Sequence, residues 1–81
     1  MYVRAQIVLP GAPSGELDRF RDELARRGAE RVVAVAGGDG TTKVACRVWF
    51  SSILDPYAAA YDAVTEAADA AGLADVRVTV G

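Results

Sequence analysis

Residues 30–50 read ERVVAVAGGDGTTKVACRVWF. Two runs rich in β-branched residues, 30–36 and 41–50, flank Gly37-Gly38-Asp39-Gly40. Asp-Gly between apolar runs is a strong signal for a tight antiparallel hairpin. Successive side chains of a strand point to opposite sides, so parity assigns faces. In the second run Val44, Cys46, Val48 and Phe50 share one side, and Lys43, Ala45, Arg47 and Trp49 the other. A four-residue loop pairs odd positions of the first run with even positions of the second. Val33 and Val35 are therefore expected inside, and Val32, Ala34 and Ala36 outside with Lys43 and Arg47.

The alternation continues at both ends of the chain. Residues 2–9 (YVRAQIVL) and 75–80 (DVRVTV) read as further strands. Their inner sets are Val3, Ala5, Ile7 and Leu9, and Val76, Val78 and Val80. Their outer sets include Tyr2, Arg4, Gln6, Val8 and Arg77. Pro10 to Pro13 break the first strand, and Ser14 is the expected N-cap of a helix to about Arg27, with Leu17, Phe20 and Leu24 on one stripe. Glu16 and Asp18 at its start and Arg26 and Arg27 at its end suit the helix macrodipole, and Gly28 follows as the C′ residue. A second helix starts at Asp55 with Pro56 in its first turn. Its expected buried stripe is Tyr57, Ala60, Tyr61, Val64, Ala67, Ala68 and Ala71. Gly72 ends it, with Leu73 placed for a Schellman contact.

The order β-α-β-β-α-β, with right-handed crossovers, puts both helices on one face of a four-stranded antiparallel sheet. The expected fold is an α+β ferredoxin-like βαββαβ sandwich, one domain over 1–81. The other face stays bare. It carries Arg4, Lys43, Arg47 and Arg77 beside Tyr2, Gln6 and Trp49 on a chain whose net charge is −2.

Composition narrows the function classes. At 52% hydrophobic and 25% charged residues the chain matches a globular protein rather than a disordered one. Its acidic balance argues against wholesale nucleic-acid binding, which needs a positive excess. One cysteine allows no internal disulfide and no cysteine metal cage. No apolar run approaches the ~18–20 residues of a membrane span, and the N-terminal strand lacks a signal-peptide layout. The expected location is cytoplasmic, with no membrane and no cofactor. Histidine, the usual general base and metal ligand, is absent. Cys46 has inward parity among valines, where a thiol is inert. No catalytic or metal residue is therefore assigned.

Three motifs bear on binding. Gly37-Gly38-Asp39-Gly40-Thr41 resembles the nucleotide-binding GGDGT string of NAD kinases and diacylglycerol kinases. In those enzymes the string leads into a helix, whereas Thr41 leads into an alternating strand, so a glycine hairpin is expected. The spacing Gly15-x-Leu17-x2-Phe20-x3-Leu24-x3-Gly28 resembles the first helix of ACT domains, small βαββαβ modules that bind effectors. That resemblance implies paired subunits and a ligand loop at Gly11, Ala12, Pro13, Ser14 and Gly15; here Ser14 stands between the proline and the glycine of the family's step. RNA-recognition motifs share the topology, but their stacking positions hold Ala45 and Arg47 here. RNA binding is not expected.

The bare face suits self-association. Val8, Val32, Ala34, Ala36, Ala45, Tyr2 and Trp49 make it more apolar than an ordinary wetted surface. Its arginines then need anions, which Asp62, Glu66 and Asp69 of another molecule are placed to supply. The expected function is a small non-enzymatic, homodimerising module that binds a protein partner or small effector. Its interface comprises Tyr2, Arg4, Gln6, Lys43, Arg47, Trp49 and Arg77. Two alternatives stay open: a cofactor-independent enzyme of the dimeric α+β barrel type, using Tyr57 and Tyr61 in a cleft, and an anionic-ligand or RNA binder using the sheet face.

Overall fold

The alternating runs at 2–9 and 41–50 become the two central strands of one sheet. The computed structural model describes residues 1–11, 14–51 and 54–81. In chain order the elements are β1 (Tyr2–Pro10), α1 (Ser14–Arg26), β2 (Ala29–Ala36), β3 (Thr41–Trp49), α2 (Pro56–Ala70) and β4 (Arg77–Val80). The strands lie in the order β2-β3-β1-β4, and every neighbouring pair is antiparallel. This is the ferredoxin-like α+β topology, with both helices on one face. No described helix is long and apolar enough to cross a membrane.

The inward sets of β1 and β3 form the floor of the core. Ile7, Leu9, Val44 and Cys46 meet Phe20 and Leu24 of α1 and Val64, Ala67 and Ala68 of α2, with Ala71 just beyond it. Asp55 caps α2 by accepting the Ala58 N–H at 3.1 Å, and Pro56 occupies the first turn. At the other end Gly72, at φ +79°, donates its N–H to Asp69 O at 3.1 Å, and Leu73 donates to Ala68 O at 3.0 Å. These are the two bonds of a Schellman motif, and Leu73 packs on the core as its apolar contact.

Tyr57 and Tyr61 depart from the expected buried stripe. They are 44% and 47% exposed, while Ala60, Val64, Ala67 and Ala71 are fully buried. Alanines and Val64 take the sheet-facing positions of α2. Both rings therefore lie at its margin. An enzyme cleft built on these two hydroxyls loses its enclosure.

β2 shows the larger departure. Val33 and Val35 are 53% and 58% exposed, whereas Val32 and Ala34 are half-buried against the core. The cause is loop length. Gly37 N–H donates to Thr41 O at 2.6 Å, which leaves three residues, Gly38 to Gly40, in the turn. Gly40 sits at φ +83°, the left-handed position that closes a three-residue hairpin. An odd loop pairs odd positions with odd, as in Val33 with Ala45 and Val35 with Lys43. Further along, a bulge between Glu30 and Val33, with Arg31 at φ +53°, shifts the register again. Glu30 thereby returns to the outer face opposite Arg47.

β4 is shorter than expected, beginning at Arg77 rather than Asp75. Asp75 has φ +58°, so the chain is still turning there. Past Val80 the ladder continues for one more pair, Arg4 and Gly81, which exchange hydrogen bonds of 3.1 and 2.9 Å.

Candidate functional site

The register arranges the outward residues of the sheet in four rows. Tyr2 faces Trp49. Next come Glu30, Arg47 and Arg4 across β2, β3 and β1. The third row is Val33, Ala45, Gln6 and Thr79, and the fourth Val35, Lys43, Val8 and Arg77. All seven residues expected at the interface thus lie on this face, which no helix covers. Val33, Val35 and Thr79 belong to it as well, in place of Val32 and Ala34.

The first two rows form a connected cluster. Met1 and Phe50 exchange ladder bonds of 3.0 and 2.9 Å, which makes Tyr2–Trp49 and Arg4–Arg47 the closely spaced, non-hydrogen-bonded pairs. The Tyr2 and Trp49 rings meet edge to face, with centroids 4.9 Å apart at 65°. Arg47 lays its guanidinium over Tyr2, Cζ at 4.0 Å from the ring centroid. One oxygen of Glu30, Oε2, lies 3.4 Å from Arg47 Nη2 and accepts the Tyr2 hydroxyl at 3.1 Å. Arg47 therefore finds its anion within its own chain rather than on another molecule's α2. Asp62, Glu66 and Asp69 are exposed, and Glu66 approaches Arg27 at 4.0 Å.

Acceptors remain scarce on this second row. Arg47 Nε is buried without a hydrogen-bond partner among the described residues. Arg4, directly opposite, has no carboxylate within ion-pair distance among them. Two cations side by side across a non-hydrogen-bonded pair destabilise one another. Beside them the face is hollow: Gly81 and Ala45 contribute little or no side chain, and a depression of about 370 Å³ opens among Arg4, Gln6, Ala45 and Thr79.

A second depression, about 230 Å³, lies between the hairpin and the start of β4, lined by Val8, Pro10, Asp39, Thr41, Asp75 and Arg77. Its Asp39 is already engaged. Thr41 donates its hydroxyl to Asp39 Oδ1 at 2.5 Å and its N–H at 3.2 Å. Those bonds hold the Asp39 carboxyl below the usual carboxylate range. The GGDGT string thus serves the hairpin.

Of the expected ligand loop, Ala12 and Pro13 lie outside the described residues, and Ser14 enters as the first residue of α1. Gly11, at φ +77°, is tied to β3, its carbonyl accepting the hydroxyl of buried Thr42 at 2.8 Å. Gly15 is exposed within α1. Ala45 and Arg47 do face outward, where an RNA-recognition motif would carry aromatics, while Trp49 and Tyr2 stand one row or more away.

Cys46 lies on the inner face, buried, and burial pushes its thiol up from the ordinary value. Native protein is expected to resist alkylation at neutral pH and to react fully once unfolded in denaturant, as followed by mass spectrometry. Rapid native labelling would place the thiol at the surface.

Glu30 and Thr79 follow from strand parity, whereas Val33 and Val35 were not legible as site residues from a four-residue loop. The signal for the two valines was present in Gly40, since a three-residue turn ending in a left-handed glycine is a common hairpin. The chain matches no protein-family model and no curated protein.

Proposed function

We propose that this chain is a small non-enzymatic binding module that works through its open sheet face, pairing with a second copy and holding a small effector there. The observation that carries this reading is the bare face itself. Val33, Val35 and Trp49 are each more than half exposed on a surface no helix covers, with Tyr2 close behind. A face carrying several large exposed apolar side chains marks a candidate interaction surface. Trp, Tyr and Arg are also the residues enriched at the centres of interfaces.

Charge decides how such a pair behaves. The four rows hold Arg4, Lys43, Arg47 and Arg77 against Glu30, a net of +3 on a chain whose total is −2. Two such faces repel at low salt and approach when screened, because the Debye length falls to about 8 Å near 0.15 M. Strands about 4.8 Å apart and nine residues long make a face of roughly 15 by 30 Å. That area sits at the small end of specific interfaces, so the pair is weak and depends on anions.

The ACT-like regulatory role is the finer form of this reading. Its support is the βαββαβ order, the chain length and the glycine spacing of α1. A reduced, buried Cys46 suits a cytoplasmic setting.

Sedimentation of wild type and Val33→Arg tests the proposal. Val33 is exposed on the edge strand β2, so the variant is expected to fold. Wild type should associate more strongly at moderate than at very low salt, and the added cation should weaken association about tenfold or more. Equal association of the two proteins would remove the face from the interface.

A further inference from the structure

We propose that the depression beside Arg4 is a binding site for a small monocarboxylate with an apolar body, such as an aromatic acid. This rests on the reading of the sheet face as the working surface and names the ligand class it would hold. At about 370 Å³ the hollow lies at the small end of ligand sites. Its lining combines Arg4, Gln6 and Thr79 with Ala45, Gly81 and the neighbouring strand residues Ala5, Cys46 and Val80, and its surface is mostly apolar.

That inventory selects the ligand. One cation without a carboxylate partner among the described residues calls for a single negative charge rather than a dianion. A guanidinium presents a planar fork that a carboxylate matches with two parallel bonds. The methyl of Ala45, with the aliphatic stems around it, favours an apolar body over a hydrated one.

The second row supplies an independent reason for an anion here. Arg4 and Arg47 stand opposite each other, and the only carboxylate side chain within ion-pair distance of either among the described residues is Glu30, on the Arg47 side. A carboxylate at Arg4 relieves the like-charge contact and lowers the net charge of the face. Ligand binding and face-to-face pairing are thereby coupled, the acid favouring the pair.

The test titrates benzoate, benzamide, acetate and inorganic phosphate into wild type, Arg4→Gln and Ala45→Leu, following backbone amide shifts by NMR. Running it also on samples diluted below the range in which the chain associates separates it from association. Benzoate should give saturable shifts centred on Gln6, Ala45 and Thr79. It should bind about tenfold or more tightly than benzamide, the range of one charged hydrogen-bonded contact. Arg4→Gln should lose that preference, and Ala45→Leu should lose the site by filling it while leaving the fold intact. Equal binding of benzoate and benzamide, or acetate or phosphate binding as tightly as benzoate, would overturn the proposal. Shifts centred elsewhere, or none that saturate, would do the same. No benzoate site in a wild type that still pairs through the face would sink the ligand alone; no benzoate site and no pairing would sink both readings.

Discussion

Phe20→Ala is expected to leave the protein largely unfolded near physiological temperature. Phe20 is the largest fully buried side chain, at the point where α1 meets the sheet and α2. Removing a buried phenyl ring costs about 3–5 kcal/mol in lost transfer energy and residual cavity. Chains of this size have a total stability of roughly 4–12 kcal/mol, so that loss takes a large fraction of it. The midpoint of a thermal melt followed by circular dichroism should fall by about 15 °C or more. The flanking alanines cannot close the gap, because Ala67, Ala68 and Ala71 are already fully buried and α2 has no closer approach to make. A fall of under about 5 °C would mean that the helices rest on the sheet by some other contact.

Trp49→Ala is expected to separate folding from association. Trp49 is 53% exposed at one end of the open face and touches Tyr2 edge to face. Losing that ring contact should cost the monomer about 1 kcal/mol. At an interface the same truncation belongs with the hot spots, where tryptophan changes cost about 2 kcal/mol or more, some thirtyfold in affinity. The expected pattern is a melting midpoint lowered by only about 4–8 °C on dilute monomer and a dimer dissociation constant raised about thirtyfold. A matched loss in both would mark Trp49 as a structural residue of β3 and nothing more.

Most of the fold was legible because β1, β3 and β4 alternate cleanly and one face is buried. Val3, Ala5, Ile7 and Leu9 could point only one way once the strand was recognised. The helices were legible from their ends, where Asp55 with Pro56 and Gly72 with Leu73 each have one conformational use. β2 was not, since its faces hang on the turn. With Gly40 in the left-handed position the hairpin loop counts three rather than four residues, and the side chains from Val32 to Ala36 change sides. The bulge near Arg31 then restores Glu30 to the outer face, a step that apolar periodicity cannot announce. Tyr57 and Tyr61 misled for a different reason. Their spacing suits a buried stripe, but alanines and Val64 take the sheet-facing positions.

The candidate site divides the same way. Arg4, Gln6, Lys43, Arg47, Trp49 and Arg77 were legible as one face from parity. The Glu30 carboxylate that serves both Arg47 and Tyr2, and the hollow beside Arg4, depend on cross-strand register and on what Gly81 and Ala45 omit. Both arise between strands, which no local pattern records.

The single tryptophan allows the central claim to be tested without altering the protein. Sedimentation equilibrium over a concentration series, with Trp49 emission read on the same samples at moderate salt, asks whether the open sheet face is the working surface. If it is, the mass should rise towards that of a dimer and the emission should shift to shorter wavelength along the same curve. A chain that stays monomeric at every concentration, or one that dimerises while Trp49 emission stays fixed, would contradict it.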